Sequence, residues 1–93
     1  MLKSEIMTTP NSPWREVSTQ HPPRNEPVLL WLPNIQQVLI GCQIIGTDGL
    51  SKWAQCYDDW HWYPDSNRYE SPTAEEADLN PSHWAFLPVP PAN

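Results

Sequence analysis

The sequence predicts a small α+β domain that is mainly β, with an antiparallel sheet of about four to five short strands and one short helix. Three observations support this prediction. Apolar and β-branched residues fall in short runs separated by turn residues. Twelve prolines, which lack an N–H donor, disfavour long helices and long central strands. The chain of 93 residues has a modest core, to which six Trp bring large apolar side chains.

The chain is short enough for one domain, which we expect over residues 13–91. Residues 1–12 are polar and lack periodicity, and we expect them to form a flexible tail. The domain begins with a segment in which Trp14 and Val17 are the apolar anchors. Pro22 and the proline after it keep the chain extended ahead of the first clear strand.

The first two predicted strands are the most apolar runs of the chain. Residues 28–32, Val-Leu-Leu-Trp-Leu, are stopped by Pro33. Residues 37–45 form the second strand. Its apolar residues occupy both odd and even positions, which predicts that both faces of the strand are partly buried. Gly41 indicates a bulge or a close backbone contact within this strand.

Asp48-Gly49 predicts a hairpin turn, after which residues 50–57 return as the third strand. A three-residue loop centred on Gly49 would place Cys42 opposite Cys56, whereas a two-residue turn would offset them by one residue. Neither Cys has a second Cys two to four positions away, so a zinc site is not indicated. We expect two small, buried, reduced thiols on paired strands.

Two further strands and the helix complete the predicted domain. Residues 60–63, Trp-His-Trp-Tyr, read as a fourth short strand, and residues 82–87 read as the last strand. Between them, residues 71–79 fit a short helix, with Ser71 as its N-cap and Pro72 at its first position.

The net charge of −6 lies entirely in the C-terminal part of the chain. Positive and negative charges balance over residues 1–52, whereas the chain after Trp53 contains seven acidic residues and a single basic one, Arg68. These acids are Asp58, Asp59, Asp65, Glu70, Glu75, Glu76 and Asp78. Such a charge disfavours direct binding to nucleic acids and to anionic membranes. It favours a basic partner, although an acidic face also serves solubility alone.

One short segment carries groups that can bind a metal or transfer protons, namely Asp58, Asp59, His61 and Asp65. It lacks the spacing of a calcium loop, and strand alternation places Trp60 and Trp62 on one side and His61 on the other. The chain also lacks a serine-nucleophile motif and a glycine-rich phosphate loop. We therefore predict no metal, no cofactor and no enzyme activity.

The six Trp are candidates for the core and for binding a partner, because Trp is enriched at interface hot spots. We expect four of them in the core and one or two partly exposed. Trp60 and Trp62 join the seven acids as predicted partner-binding residues. Exposed strand edges make a homodimer possible. The sequence lacks a signal peptide and an apolar run of membrane-spanning length, so we expect a cytoplasmic protein.

Two segments resemble a known family. Residues 14–17, Trp-Arg-Glu-Val, followed by residues 22–29, Pro-Pro-Arg-Asn-Glu-Pro-Val-Leu, are similar to the opening of the phage and prophage family known as domain of unknown function 551. Residues 82–91, Ser-His-Trp-Ala-Phe-Leu-Pro-Val-Pro-Pro, resemble its closing His-Trp-x-x-Leu-Pro-x-Pro-Pro. Trp53 stands where the family has a Trp on the returning strand of a hairpin. The resemblance covers residues 13–91.

The chain departs from the family pattern at three places. His21 precedes Pro22 where Leu is usual, Ala85-Phe86 replaces the common Met-Pro, and the stretch over residues 58–79 is longer than expected. The resemblance implies a phage or mobile-element origin, a bacterial host and a small β-rich fold. It implies no catalytic residues.

Small accessory phage proteins often bind and block host machinery. We therefore expect a non-enzymatic protein that binds a host protein, with the acidic face mimicking nucleic acid in the basic groove of a defence or nucleic-acid-handling complex. An anti-CRISPR protein would be one such inhibitor. The alternative is a small-ligand or nucleotide-binding module, with an aromatic pocket lined by Trp60, Trp62 and His61.

Overall fold

The computed structural model describes residues 12–91, so the predicted tail, apart from Ser12, lies outside the described residues. These residues form eight strands and no helix, and thus contain no helix that could span a membrane. The strands are β1 (Arg15–Glu16), β2 (Val28–Leu32), β3 (Gln37–Ile45), β4 (Ser51–Gln55), β5 (His61–Tyr63), β6 (Arg68–Glu70), β7 (Glu75–Ala77) and β8 (His83–Ala85).

Six strands form one antiparallel sheet in the order β1-β8-β2-β3-β4-β7, and β5 pairs with β6 in a separate hairpin. The predicted antiparallel β architecture is confirmed. Strands β2 and β3 have the predicted bounds, whereas β4, β5 and β8 are shorter than predicted. The sequence reading missed β1, β6 and β7, which have two or three residues each and little apolar patterning.

The predicted helix over residues 71–79 is wrong. The Thr73 N–H donates to the Asp59 carboxylate at 2.9 Å, and the Ser71 hydroxyl donates to the same carboxylate at 2.7 Å. The groups that would begin a helix are thus bound by a residue outside the segment. Strand β7 then pairs with β4, aligning Ala77 with Trp53. A helix this short gains little stability from its own hydrogen bonds, so pairing with an open sheet edge prevails.

The loop of the β3–β4 hairpin is centred one residue earlier than the loop that would place Cys42 directly opposite Cys56. Ile45 pairs with Ser51, so the loop is Thr47–Gly49, and Gly49 has a φ of +84°. Glycine adopts this left-handed conformation without steric cost, which suits the last residue of a three-residue loop. Cys42 consequently pairs with Ala54. Cys56 lies two residues after Ala54, so the two thiols are diagonal neighbours on one face of the sheet rather than directly opposite each other.

Gly41 makes the close backbone contact that its position in β3 predicts. A Cβ atom there would lie 2.5 Å from the Ala54 carbonyl oxygen and 2.8 Å from Leu30 Cδ1. Any side chain at this position would therefore collide with β4 and with the core.

The core consists of two clusters on opposite faces of the six-stranded sheet. Val28, Leu30 and Trp84 form the first cluster. The segment over residues 17–27 covers this face, and Gln20 accepts a 2.7 Å hydrogen bond at its carbonyl from Trp84 Nε1. The second cluster contains Cys42, Ala54 and Cys56, with half-buried Trp60 and Ala74 packed against it. Register places the clusters on opposite faces because side chains alternate along a strand.

The expectation of four core Trp is wrong. Trp84 is 1% exposed, whereas the other five are all half-buried. These five are Trp14, Trp31, Trp53, Trp60 and Trp62. A single sheet in a small protein has thin cover on each face, so a large indole packs one side and leaves an edge in solvent.

Candidate functional site

The β5–β6 hairpin gathers the aromatic residues of the predicted site around Tyr69, which the sequence reading missed. Trp62 pairs with Tyr69 across the hairpin. Their rings pack edge to face, with ring centroids 5.1 Å apart. The Trp60 ring lies 6.0 Å from the same Tyr. The Tyr69 hydroxyl donates to the Pro88 carbonyl at 2.6 Å, which ties the hairpin to the chain after β8. The predicted alternation is confirmed, since His61 is exposed between two half-buried Trp.

The seven predicted acids divide into two groups by exposure. Five are exposed, namely Asp58, Asp65, Glu75, Glu76 and Asp78, and two are half-buried, namely Asp59 and Glu70. Within residues 12–91 none of the seven forms an ion pair; the salt bridge found there joins Lys52 to Asp48 at 3.4 Å. Most of the negative charge is therefore presented to solvent without a neutralising partner.

Three of the exposed acids lie together at one edge of the six-stranded sheet. Glu75 and Glu76 belong to β7, which pairs with β4 on one side and, among residues 12–91, has no neighbouring strand on the other. Asp78 follows directly after β7. We call these three residues the acidic edge. Successive side chains of a strand point to opposite faces, so Glu75 and Glu76 flank the open edge on both sides.

The two half-buried acids are bound within the fold. Hydrogen bonds from the Ser71 hydroxyl and the Thr73 N–H hold the pKa of Asp59 below its usual value, with a smaller contribution from the nearby His61. Glu70 accepts a 3.2 Å hydrogen bond from the Ser66 hydroxyl. Asp59 in particular positions the chain ahead of β7 and is less available to a partner.

Beside Asp59 lies a group that we call the thiol cluster: Cys42, Cys56 and Ser71. Both Cys are free and 3% exposed. Interaction with Cys42 lowers the pKa of Cys56 to about 7; desolvation and the negative charge of Asp59 oppose the change, and the Ser71 hydroxyl reinforces it. The pKa of Cys42 is raised by the same pairing and by burial. The pairing thus shifts the pKa values of the two thiols in opposite directions, downward for Cys56 and upward for Cys42.

A cavity among the described residues is not lined by the aromatic residues that were predicted to form a ligand pocket. A cavity of about 270 Å³ is lined by Asn25, Arg68, Glu70, Ser71 and Pro72, rather than by Trp60, Trp62 and His61. The Trp rings pack on Tyr69 instead. Among residues 12–91, no three His, Cys, Asp or Glu side chains are placed to share a metal ion.

The described chain thus presents two chemical features, an exposed acidic edge and a buried thiol cluster, joined through Asp59 and Ser71. The first can attract a basic surface, and the second can undergo thiol chemistry. Comparison of the chain with models of known protein families finds no match, and searches of curated proteins and of solved structures find none either.

Proposed function

We propose that the protein is a non-enzymatic accessory protein of a phage or mobile element that binds a basic surface of a host protein through its acidic edge. The observation that carries this proposal is the placement of Glu75, Glu76 and Asp78 at an open sheet edge. All three are exposed, and within the described residues none has a cationic partner.

Electrostatics favours this mode of binding. Unpaired carboxylates accelerate the encounter with a positively charged partner and penalise acidic competitors. Asp58 and Asp65 are also exposed and add to the negative charge that the protein presents to solvent. A partner that normally holds nucleic acid has a groove lined by Lys and Arg, which carboxylates can occupy in place of phosphates. Inhibition of a defence or nucleic-acid-handling complex would follow from that competition.

The open edge adds a second source of affinity. In the part of the chain that the structure describes, no strand lies beside the outer N–H and C=O groups of β7, which can pair with a strand of the partner. Trp62, half-buried on the β5–β6 hairpin, can add apolar contact of the kind that dominates interface energies.

A phage origin is supported by the resemblance of residues 14–29 and 82–91 to the opening and closing motifs of the family named above. In the structure these two segments lie side by side, because β8 pairs with both β1 and β2. The acidic edge is at the far side of the sheet from β1.

The experiment compares two charge reversals at opposite edges of the sheet. One variant carries Glu76→Lys on β7, and its control carries Glu16→Lys, which replaces an equally exposed Glu and changes the net charge equally. Glu16 lies on β1, the opposite edge strand. Partners are captured from bacterial lysate at low and high salt, the stoichiometric one is purified, and its Kd is measured for each variant.

We expect the β7 variant to weaken binding at least about tenfold and the control to change it about twofold or less. Salt should weaken the wild-type complex, because it screens exposed charges. An equal loss of affinity in both variants would show that only the net charge matters. No loss of affinity in either variant would refute the role of the acidic edge in binding. Nucleic acid should compete for the same partner.

The nucleotide-binding alternative remains a prediction. Its test is quenching of Trp fluorescence by nucleotides, with Trp62→Phe as the matched variant. Saturable quenching that is lost in this variant would favour the alternative over the acidic edge.

A further inference from the structure

Cys42 and Cys56 are placed for a reaction with each other that the proposed binding function does not use. They belong to one buried cluster on one face of the sheet, in which Cys42 pairs with Ala54 and Cys56 follows two residues after Ala54. Cys56 is one residue beyond the end of β4, and its N–H donates to the Ile40 carbonyl at 2.9 Å.

We propose that Cys42 and Cys56 are a redox-active thiol pair that closes to an intramolecular disulfide when the protein meets a peroxide. The inference is independent of the acidic edge and its partner.

The roles of the two thiols follow from their surroundings. Cys56 is the attacking residue, because it lies just beyond the end of β4 and pairing with Cys42 lowers its pKa, although desolvation and the Asp59 carboxylate oppose this change. Cys42 is the resolving residue, because it is fixed within β3 and the pairing that lowers the pKa of Cys56 raises its own. Asp59 accepts the single hydroxyl proton of Ser71 in the 2.7 Å hydrogen bond, which holds the Ser71 side chain in place beside the thiols.

The reaction has two balanced steps. The Cys56 thiolate attacks one oxygen of hydrogen peroxide, the O–O bond breaks, and the products are a Cys56 sulfenic acid and hydroxide. The Cys42 sulfur then attacks the Cys56 sulfur, an S–S bond forms, and the sulfenic oxygen leaves as water with the Cys42 proton. Peroxide is reduced, and the two thiols are oxidised. A thiol reductant reverses the change by disulfide exchange.

The diagonal arrangement makes closure dependent on a small movement. Diagonal residues of an antiparallel pair have Cα atoms about 7–8 Å apart, whereas disulfides span about 4.4–6.8 Å. Cys56 can move because β4 has already ended at Gln55. We expect this movement to weaken the hydrogen bond from Cys56 N–H to Ile40 and the contact with Ser71.

The test oxidises the full chain with hydrogen peroxide, alkylates remaining thiols in denaturant, and measures intact and peptide masses. We expect a monomer that has lost two hydrogen atoms, takes up no alkylating reagent, and yields one peptide pair joined through Cys42 and Cys56. Dithiothreitol should restore both thiols. Hydrogen exchange should then show at least about tenfold faster exchange at the Cys56 amide in the oxidised protein.

Two variants separate the roles of the thiols. Cys42→Ser keeps a hydroxyl beside Cys56 and should stop at a sulfenic acid that dimedone traps. Cys56→Ser should leave Cys42 unmodified at the same peroxide concentration. Two alkylatable thiols in the oxidised wild type, disulfides only between chains, or dimedone labelling of Cys42 in place of Cys56 would each overturn the proposal.

Discussion

The carboxylate of Asp59 and the hydroxyl of Ser71 are joined by a 2.7 Å hydrogen bond across eleven intervening residues. The bond links the chain after β4 to the chain before β7. It sets the path of the segment that positions the acidic edge, and it holds Ser71 beside the thiol cluster. One hydrogen bond between polar side chains therefore connects the two chemical features of the protein.

Asp59→Asn should destabilise the protein at neutral pH, because an amide cannot accept hydrogen bonds as strongly as the carboxylate does from Ser71 and the Thr73 N–H. The variant should also lose part of the acid sensitivity. Folding lowers the pKa of Asp59 below its ordinary value of 3.8, so its stabilisation is present above that value and is lost as pH falls through the lowered pKa.

Urea unfolding of both proteins, near neutral pH and at several values below pH 3.8, checks this prediction. The difference in stability should shrink as the pH falls. Asp58→Asn, which alters the exposed neighbour, is the control and should leave neutral stability nearly unchanged. A difference between wild type and Asp59→Asn that stays constant with pH would contradict the assigned role.

Gly41→Ala should lower the free energy of unfolding by about 1–3 kcal/mol, because the new methyl group meets the Ala54 carbonyl oxygen and the Leu30 side chain. Gly49→Ala should cost about 1–2 kcal/mol for a different reason. Among the described residues, none apart from the two chain neighbours has an atom within 4 Å of the new methyl group, so the cost comes from the left-handed φ of +84°. Urea titration gives both values. Asn tolerates this φ, so Gly49→Asn should recover stability while Gly41→Asn should not.

Trp84→Phe should destabilise the protein by about 1–3 kcal/mol. The smaller ring leaves a cavity beside Leu30 and Val28 and removes the 2.7 Å hydrogen bond to the Gln20 carbonyl. Thermal and urea unfolding measure the loss. Trp62→Phe should cost less than about 1 kcal/mol, because the half-buried Phe ring can keep its edge contact with Tyr69. Equal effects of the two substitutions would show that burial does not govern their contributions.

Local patterns were sufficient for the elements whose cues lie within them. The apolar run of β2, the nine residues of β3 and the Gly49 turn were all predictable, because strand and turn preferences act over a few residues. The concentration of acids after Trp53 is likewise a property of the sequence alone. This concentration is sufficient to predict the residues of the acidic edge as partner-binding candidates.

Tertiary structure decided the features that depend on distant partners. The segment after Ser71 has the local signals of a helix, yet Asp59 binds its first polar groups and β4 offers it an open edge. Similarly, the exact hairpin register decides that Cys42 pairs with Ala54. Local preferences in a short segment differ by little free energy, so a single long-range hydrogen bond or strand pairing can reverse them. The sequence by itself determined which residues carry charge and thiols, and only the packed sheet decided which of them meet.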